Sequence, residues 1–505
     1  MIYKETLLPK SFDYTASEWY LRAVHDMKEG TQAMRAAGKN YILRFEGESD
    51  IKYANRLKSA KFTNLFHDIV GGISGKPFSK PLTIDSPNQV LVTLAENIDR
   101  ANNNLHAFAF AVFDNAIQNG IDWILVDHTK GVPNATLADE RASGAGPYWV
   151  RIPAIAMLGV YSAVIDGSEQ IVYARINESR IEWRDGLEVE VTRYRTLIRD
   201  PIVDATTGKI VGYGKARYEI HEWNVGEKNA NQVESGPISI GVIPLVPLIL
   251  GERVEGTWRV LPPLRGVFDL QLEHFAQETN LKLAKEATAF PMLVGQGVNP
   301  PAETDKPPAV GPRTVLYVPP DDQGKHGDWH YLEPSTASLK FLAGEIDTIE
   351  KQMRELGRQP LVQGTHNMTQ TTAALGAQKA SSTAQAWAWL LKDTLERAFQ
   401  FTNQWLGSGE MPVVQVYTDF AVVSTDDTTP PVLVDMQESG MLSRLTLWAE
   451  LKRRNILSPD FDAKAEEKRL LDEVPSGDLT GDASGHTPVA PPVPNPPPAD
   501  VLPQD

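Results

Sequence analysis

Cysteine is absent from the chain. Disulfides, thiolate metal sites and cysteine nucleophiles are thereby excluded together. A membrane-crossing run is missing too. The most apolar stretch, residues 238–250, is 13 residues long and is interrupted by Pro244 and Pro247, whereas a spanning helix needs about 20. The opening MIYKETLLPKSF has no apolar segment of the kind a secretory signal requires. The tripeptides beginning at Asn134, Asn177 and Asn367 therefore read as chance glycosylation sequons. Basic charge is in deficit: 49 Lys and Arg stand against 65 Asp and Glu, a formal net charge of −16. Gripping nucleic acid by neutralising phosphates rests on clustered Lys and Arg, and this balance argues against it.

Motifs that carry chemistry are scarce. Gly71-Gly-Ile-Ser-Gly75-Lys76-Pro77 resembles a phosphate-binding loop only at first sight. It is one residue short between its glycines, and Pro77 stands where the metal-binding hydroxyl belongs. His221-Glu222 opens like a zinc-protease helix, but Val225 occupies the position of the second histidine. The 10 histidines are scattered singly. Glu188 and Glu190 share one strand face by alternation, as on any solvated sheet. No catalytic residue, metal site or cofactor is expected.

What is present is a clear change of texture along 505 residues, enough for about three domains of average size. The first 120 residues read as helical. Leu105, Phe108, Ala109, Val112, Phe113, Ala116 and Ile117 fall on one face of a helix, with Gly120 suited to its left-handed end. Upstream, residues 53–70 read as a single helix stopping at Gly71-Gly72. From Ile121 to about Arg259 short β-rich runs alternate with the turn pairs Asp166-Gly167, Asp185-Gly186 and Thr207-Gly208, predicting antiparallel hairpins.

Helix resumes after Pro262-Pro263, with Leu264, Phe268, Leu272 and Phe275 on one face that continues through Leu283 and Ala287. A Pro- and Gly-rich insertion, 291–334, contains one evident strand at 314–318. The most regular pattern comes next: Leu339, Leu342, Ile346, Ile349, Met353 and Leu356 alternate at spacings of three and four. Such a seam requires a neighbouring helix to bury it. Lys340, Lys351, Arg354 and Arg358 gather toward the end of this helix, with Lys282 and Lys285 on the earlier one, where basic side chains complement the helix dipole. Gly357, Pro360 and Gly364 break the pattern: the two glycines are expected to give the segment that follows backbone freedom, and Pro360 to keep the helix from continuing. A proline-free helix then runs over 371–406 with Ala384, Trp387, Leu391, Leu395, Ala398 and Trp405 on its apolar face. Helices return between 434 and 473. From Ser476 onward the chain has eight prolines between Pro488 and Pro503 and little with which to build a core.

The order of elements from Pro262 onward resembles the core of tailed-bacteriophage portal proteins, the head–tail connectors. The Thr371-Thr-Ala-Ala-Leu375 start, Ser381-Ser-Thr-Ala384 and Leu390-Leu391 are similar to the long helix of that family. The run from Tyr53-Ala-Asn-Arg56 to Pro77, Ile243–Leu248, Gly440–Ser443 and Leu451–Leu457 resemble its flanking parts. The resemblance spans about 40–475.

It implies an α+β fold. The wing would cover 1–260, helical to 120 and β-rich beyond. A first stem helix at 261–290, a clip at 291–334 and a second stem helix at 335–357 would come after it. The tunnel loop would be 358–370, the long helix and its return 371–433, and crown helices 434–475, with a tail at 476–505. The tunnel loop facing DNA would comprise Arg358, Gln359, Pro360, Leu361, Val362, Gln363, Gly364, Thr365, His366, Asn367 and Met368. The seam Leu339, Leu342, Ile346, Ile349, Met353 and Leu356 would pack stems around a ring.

The implied partners are further copies in a homo-oligomeric ring, dodecameric in that family, and double-stranded DNA in its channel. The terminase large subunit, a head-completion or adaptor protein, and the major capsid and scaffolding proteins complete the set, with no membrane. The implied place is the portal vertex of a virion, and the host cytoplasm during assembly. The acidic balance fits a conduit that lets DNA pass without holding it. Two other readings stay open: a modular hydrolytic enzyme, carbohydrate-active for example, with a polar pocket within 121–260, and a different phage connector, which the chain's length disfavours.

Overall fold

The computed structural model describes residues 8–129, 145–223, 230–289, 292–296, 315–318, 328–332, 336–357, 370–409, 411–418, 420, 429–453, 456–458 and 461–473. The chain divides into two compact units, Met1–Val422 and Val423–Asp505.

The first unit opens with helix α1 (Phe12–Glu29). Ser11 Oγ caps it by accepting from the Tyr14 amide at 3.1 Å, satisfying one of the donors that a helix start leaves over. Helices α2 (Thr31–Ala36), α3 (Asp50–Ser59) and α4 (Leu65–Ser74), strand β1 (Thr83–Asp85), and helices α5 (Gln89–Glu96) and α6 (Leu105–Asn119) continue it. The single helix expected over 53–70 is two. Asn64 restarts the second by accepting from the His67 amide at 3.0 Å, and Gly71 and Gly72 lie inside it rather than ending it. Helix α6 buries all seven residues of its expected face. Gly120 ends it at φ 83°. A Cβ there would lie 2.9 Å from the Val260 side chain, so conformation and space both require glycine.

Strands β2 (Ile121–His128), β3 (Pro147–Ile152), β4 (Met157–Ile165), β5 (Ser168–Asn177), β6 (Arg180–Arg184), β7 (Leu187–Val203), β8 (Ile210–Trp223) and β9 (Asn231–Pro237) come next, then β10 (Leu245–Ile249), β11 (Glu252–Arg253) and β12 (Val260–Leu261). Two sheets dominate. One is three-stranded, β10-β2-β3; the other is six-stranded, β4-β5-β7-β8-β9 with β6 paired to the outer part of β7. Two of the three turn pairs are left-handed at both residues, whereas at Thr207-Gly208 only Gly208 has a positive φ. Asp166 and Gly167 have φ of 51° and 76°, and Asp185 and Gly186 have 52° and 82°, the left-handed pairs that suit two-residue hairpins.

Helix α7 (Arg265–Ala289) leads to strands β13 (Met292–Gln296), β14 (Val315–Val318) and β15 (Asp328–Leu332), then to helices α8 (Thr336–Leu356) and α9 (Gln370–Leu406), closed by β16 (Val413–Gln415). Strand β16 pairs antiparallel with β1, tying the end of the first unit to its beginning. One core joins α1, α3, α4, α6, α7, α8 and α9; its largest side chains include Phe66, Phe113, Trp149, Phe268, Phe275 and Phe399. Trp149 meets Phe399 edge-on at 4.7 Å and donates its indole N–H to Thr402 Oγ1 at 2.9 Å, fastening β3 to α9. A second core lies between the two sheets, around Trp123, Leu125, Met157, Leu197 and Leu245.

The second unit has helices α10 (Thr429–Glu438), α11 (Arg444–Arg453) and α12 (Ala463–Glu473). Ser443 Oγ caps α11 through the Thr446 amide at 3.2 Å. Trp448 packs edge-on against Phe461 at 5.7 Å.

One buried charge stands out in the first unit. Asp122, on the central strand β2, is fully buried, and neither carboxylate oxygen meets a donor at full hydrogen-bond geometry, with only the backbone amides of Trp123 and Ala154 close enough to favour its charge weakly. Burial pushes its pKa well above the usual carboxylate range, and Arg151 opposes this from 3.5 Å. An acid raised in this way costs nothing below its unfolded pKa, near 4; the penalty then grows as pH rises toward the folded pKa. Asp122→Asn is therefore expected to stabilise the protein at pH 7, by about 1–3 kcal/mol. In urea unfolding the gain should vanish as pH falls to about 4. A gain equal at both ends of that range would contradict this reading of Asp122.

Candidate functional site

Helix α7 starts three residues after Pro262, whose fixed φ suits a helix start. Its inward side carries Val267, Phe268, Phe275 and Leu281, but also Gln271, His274, Glu278 and Thr279, all buried. Leu272 is half-buried and Leu283 exposed, so the apolar face read from the sequence is correct only in its first half. Most of these polar groups are buried with a partner, although His274 Nδ1 and Glu278 Oε2 make no hydrogen bond. Gln271 donates to the Thr63 carbonyl at 2.9 Å and accepts from the Phe66 amide at 2.9 Å. Lys282 donates to the Ser59 carbonyl at 2.8 Å, and Lys61 pairs with Glu278 at 2.6 Å. Together these contacts key α7 to the connection between α3 and α4.

Helix α8 returns antiparallel along α7. A Cβ on Gly266, at the start of α7, would lie 3.6 Å from Leu356, at the end of α8. Farther along, His274 Nε2 lies 3.3 Å from Glu350 Oε1, while its Nδ1 lies 3.8 Å from Glu278 Oε2. This histidine, wholly buried, bridges the two helices between two carboxylates.

The seam residues fare unequally. Ile346, Ile349 and Met353 are buried, with α7 of the same chain as their cover. Leu339 and Leu342 are half-buried; Leu356, at the end of the helix, is 54% exposed, and Phe341, near its start, is 66% exposed. Lys340, Lys351 and Lys285 are exposed, and Arg354 is half-buried.

Gly357 closes α8 for a reason other than backbone freedom. Its φ is not in the left-handed region, yet a Cβ would lie 2.5 Å from Ile69 of α4 and 3.1 Å from the Met353 carbonyl. Space is what it provides. The eleven residues Arg358, Gln359, Pro360, Leu361, Val362, Gln363, Gly364, Thr365, His366, Asn367 and Met368 lie outside the described residues.

Between α7 and α8 stand β13, β14 and β15. Strand β13 is central, parallel to β14 and antiparallel to β15. After them α9 runs for 37 residues. It buries Ala384, Ala388, Leu391, Leu395, Ala398 and Phe399, while Trp387 and Trp405 pack half-buried against the core.

Reading the sequence did not single out Gln271, His274, Glu278 or Glu350. The spacing of His274 and Glu278 places them on one helix face, but their partners Lys61 and Glu350 are remote in sequence. Among the described residues no group of three His, Asp or Glu side chains is close enough to hold a metal ion, and no helix is long and apolar enough to cross a membrane.

Residues 121–260 also form a cleft of about 690 Å³, closed on one side by Trp405. Asp127 accepts from Arg195 at 2.7 Å and from Tyr148 at 3.3 Å. Glu178 pairs with Arg195 at 2.6 Å and with Arg193 at 3.3 Å, and Tyr218 donates to Glu234 at 2.8 Å. Burial first, and then the neighbouring carboxylates, push Tyr148 and Tyr218 each up to about 12. Burial works against the charge on Arg195, but Glu178 and Asp127 outweigh it and hold its pKa above the ordinary value.

Residues 263–406 match a family described as a domain of unknown function, DUF4055. The matched span opens just before α7 and ends with α9. No curated protein matches the sequence. Among solved structures, the chain is similar to a component of the neck of an empty gene transfer agent particle computed with C6 symmetry. Identity there is 14%, with a TM-score of 0.37, covering 86% of this chain and 97% of that one. A component of the virion of the native gene transfer agent particle is similar at 13% identity and a TM-score of 0.34, over 87% of this chain and 98% of that one. A chain from the native neck computed with C12 symmetry gives 15% and 0.34, over 81% and 89%.

Gln271→Leu removes both bonds to the α3–α4 connection and strands a buried amide and a carbonyl, which should cost about 2–4 kcal/mol. Gly357→Val forces side-chain volume between Ile69 and the end of α8 and should cost about 1–3 kcal/mol. Urea unfolding measures both. Wild-type midpoints for the two variants would mean that α7 and α8 are not seated on α4 as described.

Proposed function

We propose that this chain is the subunit of a portal-type connector, a ring at a capsid vertex whose central channel passes double-stranded DNA during packaging, retention and ejection. The observation that carries the reading is the order of elements over 265–406. Two antiparallel helices enclose a small three-stranded sheet, and a connection of about a dozen residues leads from the second into a long helix. That is the order the sequence resemblance implies for stem, clip, tunnel loop and long helix.

In this reading the exposed apolar side chains of the α7–α8 hairpin, Phe341 toward its far end and Leu356 at its root, meet neighbouring copies. The sheet β13–β15 docks first the terminase large subunit and then a head-completion or adaptor protein. The ring itself is received by the major capsid and scaffolding proteins. The protein performs no catalysis and needs no cofactor. It supplies a passage, and a net charge of −16 lets a polyanion slide where a basic wall would hold it through its phosphates.

The segment Arg358–Met368 is the constriction. Its amides, Gln359, Gln363 and Asn367, can meet phosphates by hydrogen bonds, while Arg358 and His366 are its basic side chains. Leu361, Val362 and Met368 would pack against the same segment of adjacent copies.

The hydrolase alternative has one observation in its favour, the polar cleft in 121–260. Its carboxylates Asp127 and Glu234, however, are already paired with Arg195 and Tyr218. That arrangement suits holding the cleft's shape better than moving protons.

Deletion of Leu361–Asn367 is expected to leave assembly intact while impairing genome packaging or retention in a complementation assay. Normal titre with full-length packaged DNA would remove the segment from the mechanism. Ending the chain at Val474 should leave ring yield unchanged in electron micrographs, because residues 475–505 offer few large apolar side chains to bury. Loss of rings would overturn that expectation.

A further inference from the structure

Strand β7 is 17 residues long, about 55 Å at 3.3 Å per residue, and it runs past the rest of its sheet at both ends. Among the described residues, 187–191 pair only with β6 and 199–203 only with β8. Each end is thus a two-stranded ribbon, which is marginal in stability unless something packs on it. Resting on the connector reading, we propose that these two ribbons are the unlike halves of one head-to-tail contact. The β6–β7 hairpin of one copy seats on the β7–β8 hairpin of the next.

The first hairpin carries apolar side chains that its own chain leaves uncovered. Ile181 is 58% exposed and Trp183 73%. Their partners across the ladder are Glu190 and Glu188, and directly opposed residues of an antiparallel pair project to the same face. That face therefore holds an isoleucine and a tryptophan beside two exposed glutamates. Tryptophan is prominent among the residues that anchor contacts between proteins.

The second hairpin is apolar with the opposite charge. Val203 and Ile210, paired across the ladder, and Ile202 and Val211 beside them are each more than half exposed. Lys209 and Lys215 are exposed on the same ribbon. Residues 180–190 hold four acidic and two basic side chains, whereas 199–217 hold two acidic and four basic. The formal charges are −2 and +2, which draws unlike hairpins together and sets like hairpins against each other.

Placement at opposite ends of one strand completes the case. A single copy cannot bring its own two hairpins together, so the occupant of each is the other hairpin on a second copy. A contact between unlike faces repeats from copy to copy and closes into a ring where the rotation allows. The β-rich part of the chain then joins subunits independently of the α7–α8 hairpin.

Because the chain has no cysteine, the contact can be addressed by placing one in each hairpin. Full-length protein carrying both Glu188→Cys and Lys209→Cys is treated with a short bis-maleimide and resolved by denaturing electrophoresis. The same samples are viewed by negative-stain microscopy. The double variant is expected to give a ladder of covalent multimers. Co-expressed single variants should stop at the dimer, and either single variant alone should give about tenfold less dimer than the pair. Trp183→Ala, at an exposed position, should raise the concentration for half-assembly about tenfold in sedimentation velocity.

Absence of a ladder, equal cross-linking by one single variant alone, or an unchanged assembly midpoint for Trp183→Ala would each overturn the contact. Rings without a ladder would overturn it while leaving the connector reading in place. A ladder without rings would uphold the contact and remove the closed ring instead.

Discussion

Helix α7 cannot be buried as a simple amphipathic helix, because its inward side carries Gln271, His274 and Glu278 together with Phe268 and Phe275. A buried polar group left unpaired costs about as much as a well-packed leucine gains, so every partner of α7 has to be in position. Gln271 fixes it to the backbone at Thr63 and Phe66. His274 fixes α8 to it through Glu350, and Gly357 lets the end of α8 settle onto Ile69. The aromatic contacts depend on that registration, with Phe275 edge-on to Phe62 at 5.4 Å and Phe268 against Tyr20 at 4.3 Å. Polar pairing thus sets the register that apolar packing then stabilises.

This registration also explains why one end of the α7–α8 hairpin is rigidly held and the other is not covered. Ile349 and Met353 belong to the main core, whereas Phe341 and Leu283 are exposed on the described surface. A hairpin rooted at one end and showing exposed apolar side chains among charged ones at the other is suited to meeting further copies of itself, since unlike faces of equivalent subunits close rings. The connector reading gives the exposed end a partner and gives the strands between the helices a position from which to contact other proteins.

Much of the fold was legible where local chemistry is decisive. The α6 face and Gly120, the Asp-Gly turns and the span of α9 follow from periodicity and from residues that tolerate positive φ. The break between α3 and α4 was missed because the apolar spacing runs on through it, and only the Asn64 cap marks the restart. The role of Gly357 was misread as backbone freedom, since the close approach of Ile69 comes from a helix nearly three hundred residues earlier. Of the candidate site, the seam was legible but its cover was not. The face of α7 that receives it mixes polar and apolar side chains, and mixed faces have no periodic signature. The cleft was equally hidden, because it is assembled from β2, β3, β7, β8, β9 and the end of α9.

The central claim is that copies of this chain close into a ring around a channel. Electron microscopy of the purified full-length protein by negative stain tests it most directly. The account predicts end-on particles with cyclic symmetry and a stain-filled central hole. Monodisperse particles of a 55.8 kDa monomer at every concentration and ionic strength, with no rings, would contradict it.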